Sequence, residues 1–176
     1  KWLVIGIAVL LYLIQQAKHR DRIPRKEMVL KIIELHFTAI YGSENLPYFR
    51  AYVMIPGAAN RLQIKARYNM KREQPDYNIT LAIAAGTTGR AYNQRSTITA
   101  DLNRVTLEDL HLSPEEATRI WQEVQSLLSI PMVNEDGKTV GVITFDSTLP
   151  IQETGFDYLA IQIYLETCAA LLADSF

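Results

Sequence analysis

Four basic side chains, Arg50, Lys65, Arg67 and Arg90, can gather on one side of a sheet and pair with an anionic molecule. Guanidinium groups fork onto carboxylate or phosphate oxygens, so the ligand chemistry would be that of a small anion. The plainer reading of the same residues is a solvated, charged strand face, and such faces are common enough to favour it. Tyr52, Met54, Tyr92 and Trp121 have the apolar and aromatic character that small-molecule pockets prefer. Simple packing under a lid helix uses the same residue types. Thr87, Thr88 and the backbone amides near Gly89 stand at a helix start, where donors can hold an anion, although a plain turn also accounts for them.

Other reactive residue types point to no reaction. His19, His36 and His111 are far apart, and a lone His111 lacks the converging ligands that a haem or metal site needs. Cys168 is the single cysteine, which excludes an internal disulfide and a thiolate zinc site of the usual kind. On a helix seam it reads as a small buried hydrophobe. Asp101 and Asp146 have no carboxylate partner at a recognisable spacing, and no Ser–His–Asp order is present. The chain is therefore expected not to be an enzyme, and no cofactor is indicated.

These candidates are carried by 176 residues, enough for one domain and an additional helix. Apolar residues make up 48% and charged residues 21%, the balance of a chain with a real core. Eighteen Lys and Arg against 19 Asp and Glu leave a formal charge of −1, without the positive field of a general nucleic-acid binder. No nucleic-acid partner is expected.

The elements that must position the candidates follow from periodicity. Residues 25–41 repeat apolar side chains at helical spacing, and Gly42 caps the end. Residues 48–55 alternate, with Phe49, Ala51, Val53 and Ile55 on one face and Arg50, Tyr52 and Met54 on the other. Residues 61–68 alternate likewise, placing Leu62, Ile64, Ala66 and Tyr68 together. Residues 69–78 read as a polar loop, 79–85 as ambiguous, and Gly86 to Gly89 as the lead into a short helix at Arg90 to Tyr92. A strand covers 96–100.

Ser113, Pro114 and Glu116 form a capped helix start, and that helix is expected to reach about Gln125. Residues 127–133 and 139–146 form a hairpin around Asp136-Gly137, its second strand covered on both sides. The last helix is expected from about Glu153 to Asp174 with two apolar seams. Tyr158, Ile161, Leu165, Cys168 and Leu172 make one, and Phe156, Leu159, Ala160, Ile163 and Leu171 the other.

Ahead of this domain, residues 2–14 read WLVIGIAVLLYLI, thirteen residues without a charge. As a helix that is about 20 Å, against roughly 30 Å for a bilayer core. Lys18, His19, Arg20, Arg22, Arg25 and Lys26 follow, the flank expected on a cytoplasmic side. Residues 1–24 are thus expected to be the inner end of a transmembrane segment plus a basic linker. A hydrophobic helix packed on the domain or on a dimer partner is the alternative.

Residues 25–176 resemble the GAF domain family. The resemblance lies in the helix–strand–strand opening, the GTTGRAY segment from Gly86, the SIPMVNEDGKTVGVITFDS hairpin from Ser129, and the closing helix from Phe156. It implies an α+β fold: an antiparallel sheet with the first and last helices on one face and a small-molecule pocket under helices and loops on the other. Arg50, Tyr52, Met54, Arg67, Thr88, Arg90, Tyr92 and Trp121 are the candidate ligand-binding residues of that pocket. The NKxxFxxxDE signature of cyclic-nucleotide-binding members is missing. Cys168 is not placed where bilin-binding members attach pigment, and methionine-sulfoxide-reducing members need several cysteines.

The resemblance implies a sensory or regulatory domain. With the leader, it implies one tethered at the cytoplasmic face of a membrane, which binds a small ligand, an anion among the candidates, or relays a signal. The expected partner is a second copy, met through the N- and C-terminal helices. The alternative is a ligand-free dimerisation or protein-interaction module.

Overall fold

The computed structural model describes residues 25–106, 108–120, 122–173 and 176. The apolar leader and the linker after it, with the membrane segment expected there, lie outside the described residues, as does Trp121. Among the described residues no helix is long and apolar enough to cross a membrane.

Helix α1 (Arg25–Tyr41) forms where the helical period placed it and buries Val29, Ile33 and Phe37 completely. Gly42 ends it at a φ of 80°, which glycine adopts at no steric cost, and its amide bonds the Thr38 carbonyl at 3.1 Å. Six strands follow: β1 (Phe49–Pro56), β2 (Arg61–Tyr68), β3 (Thr80–Ala82), β4 (Ile98–Asp101), β5 (Ser126–Val133) and β6 (Thr139–Ser147). They make one sheet in the order β3-β2-β1-β6-β5-β4, with every pairing antiparallel.

One sheet face presents Phe49, Ala51, Val53, Leu128, Ile143 and Phe145 to α1 and to α5 (Leu159–Ala173), whose Leu165, Cys168 and Leu172 are buried there. Phe37 of α1 stands 5.2 Å from Phe49 and 5.3 Å from Phe145, so the first helix sits directly over the two central strands. Each such side chain contributes about 1.5–3 kcal/mol by leaving water. Both terminal helices therefore lie on the same face, as the sequence led us to expect.

Three expectations are corrected. Strand β2 does not keep one apolar face. Val53 pairs with Ala66 but Met54 pairs with Ile64, so Lys65 is an extra residue in a β-bulge. Ala66 and Tyr68 accordingly pack toward the helices, while Leu62 and Ile64 pack on the opposite face beside Tyr52 and Met54.

The helix α3 (Pro114–Arg119) has the expected capping box at Ser113 and Glu116, yet it stops at Ile120, whose backbone is extended. The sheet takes over the stretch that would have prolonged it. The Gln125 amide bonds the Ser147 carbonyl, and its carbonyl accepts from Leu102, both at 2.8 Å. Lastly, the closing helix is broken into α4 (Ile151–Thr154) and α5. Gly155, in the left-handed conformation, terminates the first piece with its amide on the Ile151 carbonyl at 2.8 Å.

Candidate functional site

The face away from α1 and α5 is built on the same two central strands. In the β1–β6 register Arg50 lies opposite Asp146 and Tyr52 opposite Thr144. Arg50 Nε donates to Asp146 Oδ1 at 2.8 Å, and Nη2 donates to Oδ2 at 2.7 Å. The outer edge of the guanidinium reaches Asp76, on the loop between β2 and β3, with Nη2 to Oδ2 at 2.7 Å and Nη1 to Oδ1 at 3.3 Å. Arg50, Asp76 and Asp146 are 2%, 6% and 1% exposed.

Such burial would by itself favour a neutral arginine. The hydrogen bonds and charge of Asp146, then those of Asp76, reverse this and hold the guanidinium above its ordinary pKa. Burial pushes the Asp146 carboxyl up, as does the charge of Asp76, against the pull of Arg50. One cation thus faces two carboxylates, an arrangement stable only with close, forked geometry.

A run of hydroxyls continues from this cluster. The Tyr52 phenol, which burial and the two aspartates push well above its ordinary value, is within hydrogen-bonding reach of Thr88. Thr88 Oγ1 is 2.8 Å from Thr144 Oγ1, which lies 2.9 Å from Ser129 Oγ, and Ser129 donates to Thr87 at 2.8 Å. Thr87 and Thr88 belong to the first turn of α2 (Gly86–Gln94). These bonds seat that helix on β5 and β6. The helix begins earlier than expected, at Gly86, and the Gly89 amide is already bonded to the Ala85 carbonyl at 2.9 Å.

The structure brings Arg50, Tyr52, Met54 and Thr88 to this one face. Met54 and Tyr52 share an apolar cluster with Leu62, Ile79 and Leu81, against which Tyr92 packs. Arg67 lies opposite Tyr52 in the β1–β2 register. It donates to the Tyr77 carbonyl at 2.7 Å and to Asn78 Oδ1 at 2.8 Å, and sits 4.4 Å over the Tyr77 ring. It therefore holds the β2–β3 loop. Arg90 is half-buried, and Lys65 is exposed at the bulge, so the four basic residues do not converge on one point. Neither the anion-receiving cluster nor a solvated face describes Arg50, which is paired and buried.

Asp146, which the sequence left without a partner, has Arg50 for one, and Asp76, Ser129 and Thr144 were missed altogether. A signal for Asp146 existed: a lone carboxylate in the apolar run of β6 requires a buried partner. Asp76 carried none, because its contact depends on how a loop folds back. His111 is exposed, and among the described residues no group of His, Cys, Asp and Glu could hold a metal ion. A surface cleft of about 460 Å³ opens elsewhere, where Arg95 and Thr97 approach Pro131 of β5 and Glu166 of α5.

No family model matches the sequence, and no curated protein matches it significantly. Solved structures do. The nlh2 GAF domain of A. aeolicus in an inactive state superposes with a TM-score of 0.66 at 14% identity, covering 100% of this chain and 98% of that one. The GAF domain of the Acinetobacter phosphoenolpyruvate-protein phosphotransferase gives 0.66 at 13% identity, covering 97% and 92%. A free methionine-R-sulfoxide reductase from Neisseria meningitidis, solved with its substrate, gives 0.60 at 16% identity, covering 89% and 80%. At these identities the likeness is one of fold. By fold, the chain is a GAF-like domain.

Proposed function

We propose that this chain is a sensory and regulatory domain. A small anionic molecule settles on the Arg50 face, and the response leaves through the terminal helices to a second copy of the chain. The observation that supports this reading is that β1 and β6 carry both ends of the path in adjacent residues. Arg50 and Asp146 belong to the polar face, while Phe49, Ala51 and Phe145, their immediate neighbours along the strands, pack toward α1 and α5. Close-packed interiors pass displacement on rather than absorb it, so moving either strand at the site moves it under the helices. A thermal-unfolding screen against metabolites and nucleotides tests the ligand. A binder of the folded chain raises Tm as its concentration rises. No response across anionic and apolar classes removes the ligand from the proposal.

The dimer part rests on the outside of α5, where Leu159 and Ile163, one turn apart, are 69% and 55% exposed. These belong to the second seam; the first is turned inward from Leu165 onward. Sedimentation of Ile163→Glu beside the unaltered chain is therefore the informative comparison, and equal masses would count against this interface. The tether, at the cytoplasmic face of a membrane, rests on the apolar leader and its basic flank. No catalytic step is assigned. Cys168 is fully buried, and burial pushes its thiol up, away from the reactive thiolate.

A ligand-free interaction module is the second reading. It is favoured by the filling of the Arg50 face with the chain's own side chains, Asp76 above all. It predicts an empty ligand screen together with a dimer that Ile163→Glu dissociates.

A further inference from the structure

We infer that the outer edge of the Arg50 guanidinium is a carboxylate seat occupied by Asp76, from which a small monocarboxylate molecule displaces Asp76 and releases the β2–β3 loop. The inference rests on the reading of this face as a ligand site and names the ligand's chemistry.

The two aspartates on Arg50 are held very differently. Asp146 sits in β6, which is hydrogen-bonded to β1 on one side and β5 on the other, and it lies opposite Arg50 in the register. Its backbone is fixed on both sides, so Asp146 stays opposite Arg50 whatever the loop does. Asp76 sits in a loop whose turns are its own. The Gln74 amide bonds the Lys71 carbonyl at 3.1 Å, Tyr77 bonds Gln74 at 3.1 Å, and Ile79 bonds Asp76 at 3.0 Å. The Lys71 amide bonds Gln74 Oε1 at 2.9 Å. None of these needs the Asp76 carboxylate. Beyond it, the loop is fastened by Arg67, through the Tyr77 carbonyl and ring. When Asp76 swings out, the loop loses its fastening to Arg50 and is held to the sheet through Arg67, so the stretch that carries Lys71 and Arg72 loosens.

The seat has a defined shape. Asp76 takes Nη1 and Nη2, while Asp146 takes Nε and Nη2. An incoming carboxylate reproduces the Asp76 fork with the same two donors.

Charge selects the class. One guanidinium already serves two carboxylates, so exchanging Asp76 for another monocarboxylate leaves the balance unaltered. A phosphate dianion would add a further negative charge beside buried Asp146, where repulsion is weakly screened. Tyr52, two residues from Arg50 on the same face of β1, is buried and belongs to an apolar cluster with Ile79, three residues from Asp76, which suits a short hydrocarbon skeleton behind the carboxylate.

Loop release is directly readable, because Lys71 and Arg72 are exposed tryptic sites in that loop. The full chain is titrated with sodium propionate or butyrate, against sodium chloride and phosphate at matched ionic strength. Cleavage after Lys71 and Arg72 is expected to rise several-fold and to saturate with either carboxylate, and to stay level with chloride and phosphate. Asp76→Asn removes the competing charge while keeping an acceptor and the side-chain shape. Its half-saturating propionate concentration, followed by Tm, is expected to fall at least ~10-fold below that of the unaltered chain, which must first open its own seat.

Equal half-saturation in the two proteins overturns the inference, as does unchanged loop cleavage at high carboxylate. An equal effect of phosphate overturns the assigned class. Failure here alongside a positive metabolite screen removes the seat and keeps the sensory reading; failure of both removes both.

Discussion

Arg50 and Asp146 meet across β1 and β6 as register partners, joined by two parallel hydrogen bonds of 2.8 and 2.7 Å in a place almost closed to water. Removing one partner of a buried pair leaves the other's charge uncompensated, so Asp146→Ala is expected to cost about 3–5 kcal/mol. Asp76→Ala should cost clearly less, because the Asp146 fork survives and the loop can admit water. Urea-unfolding midpoints measure both. Equal losses would mean that the loop is held as firmly as the strand.

Thr144 holds two of the hydroxyl contacts that seat α2, to Thr88 and to Ser129. Thr144→Val keeps the shape and removes both bonds, for an expected loss of about 1–3 kcal/mol. Thr144→Ser should keep most of the stability. Denaturant titration of the pair separates the hydroxyl from the methyl group; a wild-type midpoint for the valine variant would show the run to be energetically idle.

His36 is buried between α1 and α5, with Nδ1 on the Ile32 carbonyl at 2.8 Å, Nε2 without a partner, and the Tyr164 ring 4.8 Å away. Burial pushes its pKa below the ordinary 6.5, outweighing the upward pull of the Ile32 carbonyl. The unfolded chain then takes up this proton first. The contribution to stability is complete above about pH 6.5 and declines as pH falls from there toward the folded-state value. His36→Leu should be neutral or slightly stabilising at pH 7 and should flatten this decline. Unfolding measured between pH 8 and 5 tests it, and an unaltered slope would assign the effect to other groups.

Gly89 is packed so closely that an added Cβ would stand 2.6 Å from the Ala82 carbonyl oxygen and 2.8 Å from the Ala84 nitrogen. Both are backbone atoms and cannot rotate away. Gly89→Ala should therefore lose about 1–3 kcal/mol despite the gain in helix propensity. Thermal unfolding beside Gly137→Ala, where nothing lies within 4 Å and only the positive φ opposes alanine, separates crowding from backbone strain.

The two faces of β1 were legible because Phe49 to Ile55 alternate without interruption, and its partner β6 keeps the same period. The helix start at Ser113 was legible because its cap, proline and glutamate agree. Its end was not, since the sheet, and no local signal, claims Gln125. Arg50, Tyr52 and Thr88 were found from strand parity and from the GTTG segment. Asp76 was beyond reach: nothing in a polar loop tells which of its acids will fold back onto a strand 26 residues away. The break at Gly155 was visible as a glycine yet outweighed by the apolar periodicity around it.

The bulge at Lys65 marks where the apolar residues of β2 pass from one compartment to the other. Deleting Lys65 would close the bulge and let the ladder run on unbroken, because Val53 and Met54, the partners of Ala66 and Ile64, are already consecutive. Ile64 and Ala66 would then be direct neighbours on opposite faces, so Leu62 and Ile64 would stay beside Tyr52 and Met54, and Ala66 and Tyr68 would stay toward the terminal helices. Exposed Lys65 serves neither compartment, so its substitution and its loss alike leave both faces filled as they are.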